Sequence, residues 1–168
     1  RYASLHSGSD IRGAWCLEDV VNRLLKSGQR VIERLYSAGI LGPRSIVAHA
    51  VHVEPGEIAL LADTGTWVTH QPRSNMNNAV GYADPTRFPE SQPVALGTDG
   101  IGADMLEEFR LAYCRHRESN LAATPDAAWN WLSTGWNLVP EALNDHVRWS
   151  YDQVDNPWAA AFTPGVAA

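Results

Sequence analysis

The chain has 168 residues, 45% of them hydrophobic and 19% charged, a composition typical of one folded globular domain and not of a disordered chain. Its formal net charge of −6 at pH 7 argues against a nucleic-acid-binding protein, because such surfaces are usually basic. The sequence has no apolar run of about 20 residues and no signal-peptide pattern at its start, so we expect a cytoplasmic protein without a membrane partner.

The first half of the chain predicts helices alternating with short strands. Apolar residues recur at helical spacing over residues 18–38, and Gly28 divides this segment into two short helices. A buried strand is predicted at 45–49, followed by a helix that begins at Pro55 and ends before Gly65. A second strand follows at 66–70.

The second half continues the alternation after a long connection. Residues 71–92 are rich in proline, glycine and asparagine and are predicted to form a long loop, and loops of this length are usually either functional or disordered. A third strand is predicted at 93–97, helices at about 103–117 and 125–142, and extended structure at 147–151 and 160–165. Alternating helices and strands indicate βαβ units and a parallel sheet, so the predicted fold class is α/β.

Polar side chains follow each predicted strand at its carboxyl end. These are His49 with His52, His70 with Asn75, and Thr98 with Asp99. In parallel α/β folds the carboxyl ends of the strands meet at one edge, and that edge carries the active site. The sequence therefore predicts a functional site that draws histidine and aspartate from three successive strands.

Each of these residues also has a structural interpretation. Asp99 precedes Gly100, and Asp-Gly is a common turn pair. His49 on an apolar strand could be a core histidine, and Asn75 could be a loop residue that tolerates left-handed backbone. His116 is interpreted as a surface residue. The tryptophans, at partly helical spacing, are interpreted as packing residues.

Three motifs resemble successive strand ends of the amidohydrolase superfamily. They are VAHAVHV at 47–53, THQPRSNMNN at 69–78 and LGTDGIGAD at 96–104. The most similar branch contains the aminohydrolases linked to selenium metabolism, near the guanine and cytosine deaminases and the triazine chlorohydrolases. WSYD at 149–152 and AFTPG at 161–165 also resemble that branch, where the chain leaves the barrel.

The resemblance implies a partial (β/α)8 TIM-like barrel, because a complete one typically needs about 250 residues. Residues 1–145 would supply about the last four βα units, and residues 146–168 would be an extended segment leading to a small β-sandwich. An isolated half barrel has open sheet edges, which favour self-association into a homo-oligomer.

The resemblance also implies a metal-dependent hydrolase of non-peptide C–N bonds. Its small-molecule substrate would be a cyclic amidine or an aminated heterocycle. The cofactor would be a divalent metal, zinc or iron, with Asp99 as a ligand and proton carrier and His49 as a second catalytic residue. His6 is the candidate second ligand, although Ser9 stands where the family's His-x-x-Glu pattern has glutamate.

The same resemblance places His70, Arg73 and Asn75 around the substrate. The family's His-x-His metal pair has no counterpart in this sequence. The alternative is therefore a non-catalytic half-barrel remnant or assembly module that binds no metal.

Overall fold

The computed structural model of the protein describes residues 3–5, 17–138, 147–151 and 160–164, with side chains described within 20–138. The strands in these ranges are β1 (Ala3–Leu5), β2 (Ser45–Ala48), β3 (Trp67–His70), β4 (Val94–Leu96), β5 (Val147–Tyr151) and β6 (Ala160–Pro164). The α-helices are α1 (Leu17–Ser27), α2 (Val31–Ser37), α3 (Pro55–Asp63), α4 (Pro72–Asn77), α5 (Met105–Ser119) and α6 (Pro125–Thr134). Short 3-10 turns occupy Pro85–Arg87, Asp99–Ile101 and Gly135–Leu138.

The order and type of these elements confirm most of the sequence-based prediction. The helical segment at 18–38 is divided at Gly28, whose φ of 68° lies in the left-handed region that favours glycine. The prediction of a long loop at 71–92 is wrong in its first part, because residues Pro72–Asn77 form α4. The last predicted helix ends as an α-helix at Thr134 and continues as a 3-10 turn.

Strands β1 to β4 form one parallel sheet in the order β1-β2-β3-β4. Each strand pairs with the next in the chain, so successive βα units follow one another across the sheet. All four carboxyl ends therefore lie at the same edge, which is called the carboxyl edge below. This arrangement is a partial parallel sheet with helices, and its assignment to the last four βα units of a barrel stays a prediction.

The described core has two apolar clusters. One joins α2 and α3 to the sheet, with Ile32, Leu61, Val47 and Val68 almost completely buried. The other joins α5 and α6 to the end of β4 and is centred on Phe109 and Leu132 together with small alanines. The helices therefore cover the sheet and leave its carboxyl edge to the loops and α4.

A buried carboxylate ties α2 to α3 close to the first core cluster. Glu57 Oε1 accepts from the backbone N–H of Ile32 at 3.1 Å, and Oε2 accepts from Arg30 Nε at 2.7 Å. Oε2 also accepts from the backbone N–H of Glu54 at 3.0 Å, which caps the start of α3. These bonds compensate for the burial of the charge.

Strands β5 and β6 form a separate two-stranded antiparallel sheet. The predicted extended structure at 147–151 and 160–165 is confirmed in β5 and β6, while the predicted β-sandwich stays a prediction. In the part of the chain that the structure describes, no helix has the length and apolar character that spanning a bilayer requires.

Candidate functional site

His49 leaves strand β2 in an unusual backbone conformation that the neighbouring strand holds in place. Its φ is 68°, in the left-handed region, and Ala50 follows with a φ of 48°. The backbone N–H of His49 donates to Thr69 O and to Gln71 Oε1, both at 2.8 Å. Gln71 is itself oriented by the bond from its Nε2 to Thr69 Oγ1 at 2.6 Å. The end of β3 thus sets the position of His49.

The imidazole ring of His49 lies between α4 and the turn after β4. Its Nδ1 lies 2.8 Å from Oδ1 of Asn75, in the middle of α4. Its Nε2 lies 3.7 Å from Oδ2 of Asp99. The ring is almost completely buried and lies against groups on two different elements.

Asp99 begins the 3-10 turn after β4, and its φ of 55° also lies in the left-handed region. Oδ1 accepts from the backbone N–H of Gly100 at 2.7 Å, and Oδ2 accepts from Ser74 Oγ at 2.5 Å. About a fifth of the side chain is exposed, at 19%. Asp99 is therefore both the turn residue that Asp-Gly indicates and a carboxylate in contact with another element.

Helix α4 supplies two contacts to this site that the sequence did not indicate as such. Ser74 and Asn75 are both buried. Ser74 hydrogen-bonds Asp99, which follows β4, and Asn75 hydrogen-bonds His49, which follows β2. The available signal was Pro72, which suits the first turn of a helix. The asparagines at 75, 77 and 78 and the glycine at 81 favour a loop instead, and they led to the loop prediction.

Arg73 is held by acidic side chains of α5. Its Nε donates to Glu108 Oε1 at 2.7 Å, and Nη1 donates to Glu107 Oε2 at 2.5 Å. Burial raises the pKa of Glu108, and the bonds from Arg73 oppose that shift. Among the described residues, Nη2 of Arg73 is buried without a hydrogen-bond partner. The predicted contact of Arg73 with a substrate stays a prediction.

His70 ends strand β3 but is enclosed by aromatic side chains. Its ring packs edge-on against Tyr82 and Trp131, each at a centroid distance of 6.1 Å. Neither ring nitrogen has a hydrogen-bond partner within the described part of the chain. Burial lowers the pKa of His70 to about 3, so the ring is neutral at pH 7. Its predicted role in substrate binding stays a prediction.

The interpretation of His116 as a surface residue is wrong. His116 is buried against Trp131, and its Nδ1 lies 3.2 Å from the Tyr82 hydroxyl. Helix α5 places it three and four positions from residues of the second core cluster, so the helical period brings it inward. Nε2 of His52 lies 3.0 Å from the backbone carbonyl oxygen of Val80.

A family model described as the amidohydrolase family matches residues 5–134. The chain belongs to the amidohydrolase family. A 5'-deoxyadenosine deaminase of Methanopyrus kandleri is 37% identical over 101 residues, which are 57% of this chain and 23% of that protein. An 8-oxoguanine deaminase of Pseudomonas aeruginosa is 34% identical over 119 residues, 67% of this chain and 26% of that protein.

Solved amidohydrolase structures are similar as well. The crystal structure of an adenosine deaminase from Xanthomonas campestris with bound zinc matches with a TM-score of 0.63 and 29% identity, over 70% of this chain and 28% of that one. This chain spans about a quarter of the length of these relatives. The family implies a TIM-barrel fold, and the described parallel sheet with its helices corresponds to part of such a barrel.

The metal site that an amidohydrolase implies would lie at the carboxyl edge. The Asp99 carboxylate is partly exposed at this edge, and a carboxylate oxygen is a usual zinc ligand, so Asp99 fits as one ligand. Within the described ranges, however, no group of three or more histidine, cysteine or acidic side chains is placed to hold a metal. A catalytic zinc site has three protein ligands, so these residues do not complete one. The predicted ligand His6 lies outside the described residues.

Proposed function

We propose that this chain is part of a metal-dependent hydrolase that removes an amino group from a cyclic amidine or an aminated heterocycle. The observation that supports this proposal most directly is the contact between His49 and Asp99, which follow two different strands. Nε2 of the ring lies 3.7 Å from Oδ2 of the carboxylate. Family membership supports hydrolysis of a C–N bond, and the curated relatives named above are deaminases of nucleosides and of an oxidised purine.

The residues of this chain account for the proton transfers of such a reaction. Asp99 accepts a proton from the attacking water as the water oxygen bonds to the ring carbon, and then returns it to the departing amine as the C–N bond breaks. A carboxylate with one partly exposed face suits both steps. His49 lies opposite Asp99 and hydrogen-bonds the attacking water, which orients the water oxygen toward the ring carbon.

A divalent metal, zinc or iron, would supply a water whose pKa falls from about 15.7 to about 7 on binding. Asp99 would be one ligand of that metal, and we propose His6 as another. We propose His70 and Arg73 as substrate contacts, since both lie at or just beyond the carboxyl end of β3. Asn75, predicted near the substrate as well, lies beside them, and its Oδ1 is 2.8 Å from Nδ1 of His49.

Substitution of Asp99 by asparagine tests this proposal. In the protein that contains this chain, Asp99→Asn removes the proton acceptor, and we expect kcat to fall at least about a hundredfold. The matched control is Asp63→Asn at the exposed end of α3, which should leave kcat unchanged. Deaminase assays on a panel of purines, pyrimidines and nucleosides provide the measurement, and equal turnover in both variants would exclude the assigned role.

The alternative function is a non-catalytic half barrel that serves assembly. The absence of a metal-holding cluster within the described ranges favours it. Metal analysis of the purified protein separates the two hypotheses. A stoichiometric metal together with turnover of any panel substrate supports the hydrolase, whereas neither would be present in the assembly module.

A further inference from the structure

We propose that Asn75 is a positioning residue that keeps a proton on Nδ1 of the His49 ring through the bond to its Oδ1, so that Nε2 faces Asp99. The catalytic consequence rests on the proposed function, but the tautomer itself does not. The tautomer follows from the contact between the buried Asn75 amide and the buried His49 ring.

The contact between the two side chains is a full hydrogen bond in a buried place. Asn75 Oδ1 lies 2.8 Å from His49 Nδ1, within the usual range for an N–H···O bond. Both residues are buried, so solvent does not compete for either atom. A carbonyl oxygen only accepts, and therefore the proton of this bond must reside on Nδ1.

The backbone of His49 is fixed beside this partner. The backbone N–H is engaged by Thr69 O and Gln71 Oε1, and the residue is held in a left-handed conformation that few side chains adopt. With Nδ1 bonded to α4, the opposite ring nitrogen is directed to the turn after β4. The Nε2 to Oδ2 separation of 3.7 Å is the result of these constraints.

This separation leaves room for a shared oxygen atom. At 3.7 Å the two groups are too far apart for a strong direct hydrogen bond, but one oxygen can lie within about 2.8 Å of both. In the Nδ1–H tautomer, Nε2 accepts a hydrogen bond from a water at that point. His49 would therefore orient the water while Asp99 takes its proton.

Which of its two ends the Asn75 amide presents to the His49 ring decides which ring nitrogen carries the proton. As placed, Nδ2 is buried and has no hydrogen-bond partner among the described side chains and backbone. A reversed amide would donate from Nδ2 to Nδ1 and would put the ring proton on Nε2, facing the carboxylate. The two arrangements differ in which ring nitrogen carries the proton, and this can be measured without any substrate.

Nitrogen-15 NMR of the labelled protein decides the tautomer. The spectrum is recorded about two pH units above the ordinary histidine pKa of 6.5, where a neutral ring is expected. We expect the His49 Nδ1 resonance in the region of protonated ring nitrogens and Nε2 in the region of unprotonated ones. Free histidine in water prefers the opposite tautomer, so a protonated Nε2 with a bare Nδ1 would overturn the proposal.

Substitutions at Asn75 test the cause of the tautomer. In Asn75→Ala the Nδ1 partner is lost, and the His49 signals should move toward those of the Nε2–H tautomer. Asn75→Asp keeps an acceptor opposite Nδ1 and should retain the proton there. Asn77→Ala, at an exposed position of the same helix, is the matched control and should leave the signals unchanged. A spectrum that is identical in Asn75→Ala and in the unaltered protein would contradict the assigned cause.

Kinetics separates a positioning residue from a substrate contact. Asn75→Ala should lower kcat about tenfold to a hundredfold with little change in KM, and Asn75→Asp should restore most of it. A raised KM with unchanged kcat would identify Asn75 as a substrate contact and refute the positioning role. A protein with the Nδ1–H tautomer but no turnover would support this inference while refuting the proposed function.

Discussion

At the scale of single residues, the carboxyl edge is marked by strained backbone. His49, Ala50 and Asp99 have φ values of 68°, 48° and 55°, and none of them is glycine. Such conformations cost on the order of 1 kcal/mol or more each and persist where the surroundings hold them. With this left-handed backbone, the His49 ring and the Asp99 carboxylate face each other across 3.7 Å.

Ser74 provides a residue-scale prediction. Its hydroxyl donates to Asp99 Oδ2 at 2.5 Å from a fully buried position, so it limits the carboxylate to one orientation. We expect Ser74→Ala to lower kcat about tenfold, because a hydrogen bond to a charged group contributes roughly 1.5–3 kcal/mol. Ser133→Ala is the control, since among the described residues that hydroxyl donates to the carbonyl of Asn130 in its own helix. Unchanged kcat in Ser74→Ala would show that the Ser74 hydroxyl does not orient the carboxylate.

At the scale of elements, α4 is stabilised by its contact with α5. A helix of six residues is too short to be stable by itself. Arg73 bonds two acidic residues of α5, of which Glu108 is fully buried and Glu107 is 48% exposed. The same ion pairs keep Ser74 and Asn75 at the carboxyl edge, so the position of the site depends on the docking of two helices.

The unequal burial of these two acids gives an element-scale prediction. Glu108→Ala leaves Arg73 as an uncompensated, largely buried charge, and we expect the free energy of unfolding to fall by about 3 kcal/mol. Glu107→Ala removes an exposed partner and should cost less than about 1 kcal/mol. Urea unfolding of both variants measures the difference. Equal losses would mean that α4 does not depend on the buried ion pair.

At the scale of the whole molecule, His70 lies where the sheet, α6 and the loop after α4 meet. Its neutral ring packs against Tyr82 and Trp131, and burial keeps its folded-state pKa at about 3. The unfolded chain binds this proton near the ordinary pKa of 6.5, more tightly than the folded one. The stabilisation from His70 is therefore complete above about pH 6.5 and is lost as the pH falls toward 3.

This linkage predicts how global stability depends on pH. One such histidine contributes a slope of up to about 1.4 kcal/mol per pH unit in this window. We expect the unfolding free energy to fall by about 1–2 kcal/mol more in the unaltered protein than in His70→Asn between pH 6.5 and pH 5. Urea unfolding at the two pH values is the measurement. The same decrease in both proteins would show that His70 does not remain neutral in the folded state.

The sequence predicted the order of the helices and strands and the strand-end positions of His49, His70 and Asp99, because apolar periodicity and the residue after each strand are local features. It missed α4 because short helices in segments rich in proline and asparagine have weak local signals and depend on tertiary contacts. It also missed the burial of His116, which depends on packing against α6 rather than on the charged neighbours in its own helix.

The sequence by itself determined the family, the parallel α/β arrangement and the presence of histidine and aspartate at one sheet edge. Only the tertiary structure decided which atoms meet there. Ser74 contacts Asp99 across 25 positions of the chain, and Asn75 contacts His49 across 26. The physical reason is that contacts at this separation depend on strand register, left-handed backbone and helix docking, and no local pattern of residues encodes these together.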